Sequence, residues 1–567
     1  PSALDLTQAS PLLNFQKSQA PAYLSKDWTT QITSKYGISD IKTTTKVSFL
    51  REINDTLLTN YDKNVDGTYK TVSVGAVNEN STAGNLTENV SDVTAYYNST
   101  NKEIIIYSPA RIYAPQSCAG FFQRWFSLTE IVFDNFDTSK TLRMPGMFSG
   151  RWISSGSNLT LSYMSLKNLD ITSFDTSNVS AKNGFTQMFA VNSFKTLDLR
   201  NFNTSQVTDM SVMFYFSTNL KTLELRNFDT SKVTTMQLMF GGDKDNKMNI
   251  INLDLKSFNT SNVENFGSMF QRCSVLESLN IENFDTSKAT TFNGMFLGCS
   301  LLKNIEVDNF NTVGVTNMRA MFSECSSLKS LDLSHFDTSN VTSMRFMFAA
   351  KTGSTESDIM RFRKLDLSHF DVSKVTDFTS MFYRCEYLEE LNITGWKTTS
   401  ATTFDNLFNR CSALKSVDLR GFDTSKVTNM NEMFSDCYEL ESLDLSHFDT
   451  SKVTDMGSMF SADYGSSSDN KVMKLKTLDL SSFDTSLVTN MKSMFNRCSN
   501  LTTIYVGAKW NTSAVTDSAE MFAECTVLVG ANGTSYANML TTDADNAKLV
   551  KYAVVDTEST PGYLTLI

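Results

Sequence analysis

Leu328-Lys329-Ser330-Leu331-Asp332-Leu333-Ser334-His335-Phe336-Asp337-Thr338-Ser339, continued by Asn340-Val341-Thr342-Ser343-Met344-Arg345-Phe346-Met347-Phe348, is one copy of a phrase that recurs through most of the chain. Its plainest mark is Phe-Asp/Asn-Thr-Ser, at 202–205, 228–231, 284–287, 448–451 and 483–486. The Phe, or a Trp in its place, falls at 136, 174, 202, 228, 258, 284, 310, 336, 370, 396, 422, 448, 483 and 510, with a commonest step of 26 residues. A fixed period of this length marks a solenoid, in which each repeat buries its apolar edge only against its neighbours.

Within the quoted copy, Leu331 and Leu333 point inward and Ser330, Asp332 and Ser334 outward, the alternation of a strand. Phe336 plugs the core as the chain leaves that strand. Asp337-Thr338-Ser339 reads as a turn whose carboxylate accepts from a following backbone N–H. Val341, Met344, Met347 and Phe348 share one face at helical spacing, with Thr342 as N-cap. The expected fold is therefore α/β: about fourteen strand-turn-helix repeats with a parallel sheet on one face and capped ends. The Met-Phe pairs, such as Met321-Phe322 and Met433-Phe434, are read as core filling rather than as a methionine-rich groove. Three regions follow: an N-terminal cap over 1–112, partly β, the repeat array over 113–528, and a C-terminal cap over 529–567. In the first, residues 104–107 and 69–77 read as strands.

Bulk composition agrees with a folded, exported protein. Of 567 residues 41% are apolar, Pro numbers only 7, and the net charge is −11. That charge disfavours nucleic acid and anionic lipid as partners. No apolar run is long enough to span a membrane. The chain begins at Pro1, so a signal peptide and a wall anchor are expected outside it.

The phrases Leu-x-x-Leu-Asp-Leu-Ser-x-Phe-Asp-Thr-Ser and Val-Thr-x-Met-x-x-Met-Phe, at 328–339 and 341–348, resemble the BspA-like leucine-rich repeat proteins on the surface of lactobacilli and other bacteria. The endings at 529–536 and 560–565 resemble that family's C-terminal closure. The resemblance implies a leucine-rich repeat solenoid and a cell-surface adhesin that attaches to host mucosal or matrix components or aggregates cells.

Stacking turns each repeat position into a column. The middle strand position carries Asp170, Asp198, Glu224, Asp254, Glu306, Asp332, Asp366, Asp418, Asp444 and Asp479, with Asn280 and Asn392 between them. Carboxylates one strand spacing apart repel, which raises and couples their pKa values. This exposed face is the candidate ligand-binding surface, with adhesion enhanced in acid. The alternative is a solvated face whose carboxylates satisfy neighbouring backbone and hydroxyl groups. Arg200, Arg226 and Lys256, then Glu282 and Asp308, occupy the next outward position. His335, His369 and His447 are the only histidines and share one column, so they are candidate pH sensors. They lack the converging ligands a metal needs.

Eight of the nine cysteines, at 273, 299, 325, 385, 411, 437, 498 and 525, lie three residues after the Met-Phe phenylalanine. They are read as a buried thiol spine rather than as a zinc or disulfide pattern. Cys118 stands apart. The repeats that start at Phe136, Phe228, Phe336 and Phe448 are longer, and the extra residues after the helix are read as structureless spacers: 241–246, 351–356 and 461–470. Asp62-x-Asn64-x-Asp66-Gly67 begins like a calcium loop, but Ser73 stands where the closing Glu belongs, so a tight polar turn is expected. No catalytic group, metal or cofactor emerges, and the chain is not expected to be an enzyme. The function expected is an extracellular bacterial surface adhesin, with host glycans, mucin, matrix proteins or a second copy as partners. The alternative is a spacer that presents another binding domain.

Overall fold

The computed structural model describes residues 22–76, 92–155, 158–180, 182–243, 245–350, 359–462 and 472–567. They fold as two compact parts. One runs up to Val263 and takes in Ser278–Phe284; the other comprises Glu264–Glu277 and Asp285–Ile567.

The first part opens with β1 (Ala22–Leu24), α1 (Trp28–Tyr36), β2 (Lys46–Leu50), α2 (Asp55–Leu58), β3 (Thr71–Ser73), β4 (Gly75–Ala76), β5 (Thr94–Asn98), β6 (Glu103–Tyr107), β7 (Ile112–Tyr113) and β8 (Glu130–Phe133). Five of these make one sheet in the order β3-β5-β6-β2-β8, and three make a second, β4-β1-β7. The expected strand at 104–107 is β6, and most of the one at 69–77 is β3 and β4. Val77 lies outside the described residues. Hydrophobic periodicity gives little sign of α1, whose only buried residues are Trp28 and Ile32, one turn apart. Trp28 stacks on Phe121 at 5.4 Å and on Trp125 at 5.8 Å. The parallel pairing of β2 with β8 sets Phe49 opposite Phe133, and their rings stack at 5.7 Å.

The long repeat after Phe136 is not a bare spacer. Its extra residues form the antiparallel hairpin β9 (Arg151–Ser155) and β10 (Asn158–Ser162). Trp152 and Leu161 pack on Val191 and Phe216, so an apolar face drives the hairpin down onto the repeats. The insertion after Phe240 is also shaped. Asp243 accepts from the N–H groups of Asp245 and Asn246, and the Tyr163 hydroxyl donates to Asn246 Oδ1 at 3.0 Å. The insertion at 351–356 and residues 463–470 lie outside the described residues.

The Leu-x-x-Leu-x-Leu segments build small sheets. β11 (Asn252–Asp254) pairs parallel with β12 (Ser278–Asn280) in the first part. In the second, β13 (Lys364–Asp366) pairs with β14 (Glu390–Asn392), and β15 (Thr477–Leu480) with β16 (Thr503–Val506). Register matches like positions, Leu365 opposite Leu391 and Leu478 opposite Ile504. Leu333 is buried and Asp332 exposed, as the alternation predicts, while Leu331 is only half-buried. The Asp337 turn also holds: its Oδ1 accepts from Ser339 N–H at 2.9 Å. After β16 come α3 (Tyr536–Thr542) and β17 (Leu564–Leu566), the latter parallel to β16. Trp510 Nε1 donates to Ala553 O at 2.9 Å, and the Tyr563 ring meets Phe522 edge-on. Asp556 ties the turn at 530–534 to the segment leading into β17, accepting from Asn532, Thr534 and Gly562 N–H groups.

Among the described residues the helix expected in each repeat does not form. Over 341–350 the chain instead runs through consecutive tight turns. Met347 N–H donates to Met344 O and Ala349 N–H to Phe346 O, each three residues back. The N–H groups of Met344, Phe346, Phe348 and Ala350 reach the next repeat, donating to Asp377, Thr379, Met381 and Tyr383 carbonyls at 2.8–3.2 Å. Phe346 lies at φ 58°, as Ala320, Ser380 and Asn406 do at 53°, 55° and 58°. A left-handed non-glycine residue costs roughly 1–2 kcal/mol. A helix of two turns is marginal by itself, whereas the turn path gives most of these N–H groups a partner, those of Thr342, Met344, Phe346, Phe348 and Ala350 in a neighbouring repeat. Thr342 is accordingly no N-cap: its N–H and its Oγ1 both donate to Thr316 O, at 2.9 and 3.1 Å.

The Met-Phe pairs are core, as read. Met321, Phe322, Met433 and Phe434 are fully buried. In the second part the rings of Phe270, Phe296, Phe322, Phe348, Phe382, Phe408, Phe434, Phe460, Phe495 and Phe522 stack in succession, with centroids 5.4–6.0 Å apart. A second internal ladder runs through the Thr of Asp-Thr-Ser. Thr424, 1% exposed, donates from Oγ1 to Asp449 O at 2.9 Å and accepts from Asp449 N–H at 2.8 Å. Thr450 does the same to Asp484. Thr424→Val, which keeps the shape and orphans both backbone groups, is expected to cost about 2 kcal/mol in chemical denaturation.

Candidate functional site

The acidic column is held by local bonds rather than by mutual repulsion. Each Asp accepts from the residue two positions on. Asp170 takes the N–H and Oγ1 of Thr172, Asp366 those of Ser368, and Asp444 those of Ser446. Asp332, Asp254 and Asp479 accept N–H groups from Ser334, Lys256 and Ser481. Arg200 and Arg420 fork onto Asp198 and Asp418 at 2.6 and 2.7 Å. Arg226 lies 3.7 Å from Glu224 and 3.9 Å from Asp254, and Lys256 pairs with Glu282. No side-chain bond ties Glu306 to its neighbours among the described residues.

For Asp170, Asp198, Asp332, Asp366, Asp418 and Asp444 the expected rise in pKa is reversed. The Arg200 and Arg420 guanidinium groups hold Asp198 and Asp418 at about 2. The bond from Thr172, the backbone bonds of Ser334 and Ser368 and the hydroxyl of Ser446 lower Asp170, Asp332, Asp366 and Asp444. A carboxylate with a depressed folded pKa stabilises the fold above its unfolded value, near 4, and loses that contribution as pH falls towards the folded pKa. These groups therefore contribute an almost constant stability from pH 7 down to about 5 and lose it progressively below that. A carbon-detected NMR titration of Asp418 is expected to show a midpoint below pH 3. A midpoint above 4 contradicts the pairing.

Asp170, Asp198 and Glu224 are brought together, with Thr172 and Arg200, around an open depression of about 470 Å³ in the first part. Elsewhere the column alternates with amides, as where Asp254 faces Asn280 and Asp366 faces Asn392.

The three histidines act as pegs. Nε2 of His335, His369 and His447 sits 2.8, 2.6 and 2.8 Å from the carbonyls of Val307, Leu333 and Leu419 in the preceding repeat. Each ring stands edge-on to the following Phe. Asn227 and Ser482 make the equivalent bond elsewhere, to Leu199 and Leu445 carbonyls. Among the described residues no three His, Cys, Asp or Glu side chains gather for a metal. At the calcium-like turn, Asp66 accepts from Thr68, two residues on, and Asp62 from Ser99, which follows β5, so one carboxylate serves the turn and the other ties it to a distant segment.

All nine cysteines are buried thiols. The spine thiols donate to the Phe carbonyl of the preceding repeat: Cys299 to Phe270, Cys325 to Phe296, Cys411 to Phe382 and Cys525 to Phe495, at 2.9–3.3 Å. Ser217 makes the same bond to Phe189 in the first part. The column therefore calls for a small, weak donor. Burial pushes the Cys118 and Cys498 thiols up to about 12, far from nucleophilic.

A further column carries charge at the position before seven of the eight spine cysteines: Arg272, Glu324, Arg384, Arg410, Asp436, Arg497 and Glu524, all at left-handed φ near 60°, with Gly298 before Cys299. Arg272 passes over Gly298 to form a two-point pair with Glu324, both side chains about one sixth exposed. A Cβ on Gly298 would meet Arg272 Cδ at 2.8 Å. Arg384, 3% exposed, pairs with Glu386 at 2.9 Å. The sequence carries a sign of this ladder, because each run of cysteine-bearing repeats begins with Arg and ends with Asp or Glu.

Four overlapping matches, at 183–300, 276–363, 354–472 and 470–546, fit the model of one family, described as "Mycoplasma protein of unknown function, DUF285". The chain belongs to that family. It is also similar to the functional domain of InlJ from Listeria monocytogenes, described as including a cysteine ladder, at 13% identity over 68% of this chain and 69% of that one, with a TM-score of 0.18. Comparison with curated proteins found no match. Among the described residues no helix is long and apolar enough to cross a membrane.

Proposed function

We propose that this chain is the repeat region of a bacterial cell-surface adhesin of the BspA-like, leucine-rich repeat type, exported and displayed outside the cell, built as a single solenoid of about fourteen repeats. It binds host glycans, mucin or matrix proteins, or copies of itself on other cells, and catalyses no reaction. The observation that carries this reading is the in-register recurrence of exposed positions. From Thr290 onward, Thr316, Thr342, Thr376, Thr402, Thr428 and Thr454 each bond the carbonyl of the threonine before, so surface chemistry repeats at fixed intervals and weak contacts add by multivalency. A uniform ladder supplies no convergent nucleophile and base. The engagement of the strand-face carboxylates in their own turns favours a second reading, a spacer that presents another domain. The test is the full chain immobilised against mucin, collagen and a second copy. Retention on any of them supports the adhesin, and retention on none leaves the spacer.

A further inference from the structure

On the turn side of the second part a cavity of about 420 Å³ opens across consecutive repeats, the volume of a small-ligand site. It exists because one left-handed column carries Ser268, Gly294 and Ala320, and then the full ring of Phe346. Phe346 and Tyr383 close one end, and the Arg272–Glu324 pair spans the opposite side. Arg319 lines the rim, exposed; its backbone N–H donates to Asn317 and its carbonyl accepts from Gly294 N–H, while its guanidinium has no partner among the described residues. Arg345, one repeat on, is already held by Asp377 at 3.8 Å and lies over the Phe346 ring.

We propose that this cavity binds a carboxylate-bearing sugar. The free guanidinium takes the carboxylate, a bidentate match of fork to fork. The Arg272–Glu324 pair offers donors and acceptors side by side, which suits hydroxyls that are both. The aromatic end wall takes the apolar face of the sugar ring. On a chain of net charge −11, this local cation is what admits an anion. The inference names a ligand class for the adhesin reading and rests on it.

The repeats supply variants that their own backbone already accommodates. Ala320→Phe fills the cavity with the side chain that Phe346 carries at the same φ. Arg319→Asn copies Asn293 of the preceding repeat, and Ala320→Ser copies Ser268. Calorimetry of the full chain with N-acetylneuraminic acid, glucuronic acid and galactose is the experiment. The expected result is acidic sugars bound at least tenfold more tightly than galactose, a preference erased by Arg319→Asn, binding abolished by Ala320→Phe and kept by Ala320→Ser. Equal binding of galactose, no binding of any sugar, or Ala320→Phe binding as well as the parent overturns the proposal. Retention on mucin is read in parallel. Mucin binding untouched by Ala320→Phe defeats this site and spares the adhesin. Free acidic sugar bound by a chain that adheres to nothing does the reverse.

Discussion

Phe322→Ala is expected to destabilise the second part by about 3–5 kcal/mol, the cost of removing a fully buried aromatic side chain from a packed core. The ring lies between Phe296 and Phe348 at 5.8 and 6.0 Å, nearly parallel to both. Its loss removes two stacking contacts and opens a void between repeats that have no other core to relax into, because each repeat packs only on its neighbours. The urea midpoint of the native chain and the variant measures it. Phe322→Leu, which refills much of the volume, is expected to recover more than half of the loss. A shift below 1 kcal/mol for the alanine variant contradicts the stack.

Glu324→Ala is the second large effect, about 2–3 kcal/mol. A buried pair broken on one side costs about 3–5 kcal/mol because the remaining charge stays desolvated, and the one-sixth exposure of both side chains reduces that. The sign of the coupling is the sharper test. Arg272→Ala with Glu324→Ala together is expected to cost less than Glu324→Ala alone, since no orphaned guanidinium remains. Additive losses contradict the pairing across Gly298.

Much of this fold is legible in the text of one repeat. The Phe-Asp-Thr-Ser period yields the repeat length, Leu328 and Leu333 the buried edge, and Asp337 the turn. What period alone misses is the turn path after Val341. Offsets of 0, 3, 6 and 7 fit a helix face, yet they also fit turns of three residues that bury the same side chains. The choice is made by the amides of Met344, Phe346 and Phe348, which bond to the next repeat. That is a term between repeats, and no window within one repeat contains it. The acidic column shows the same limit. Asp170, Asp332 and Asp444 look like repelling neighbours along the stack, but the hydroxyl or amide two residues on is nearer than the next carboxylate and decides their pKa. The cavity edged by Arg319 depends on three small residues in successive repeats, Ser268, Gly294 and Ala320. The sequence spells them out, but they share a column only once the turn geometry is known.

Hydrogen exchange at single-residue resolution, by electron-transfer mass spectrometry, tests the central claim that successive repeats are joined in register through their turn segments. The N–H groups of Met318, Ala320, Phe322 and Glu324 donate to Ser343, Arg345, Met347 and Ala349 carbonyls one repeat away. They are expected to exchange only through global opening, as slowly as the amides of β15 and β16. Exchange of these four within minutes in the native chain would contradict the account, because turns closed only on themselves leave those amides open to water.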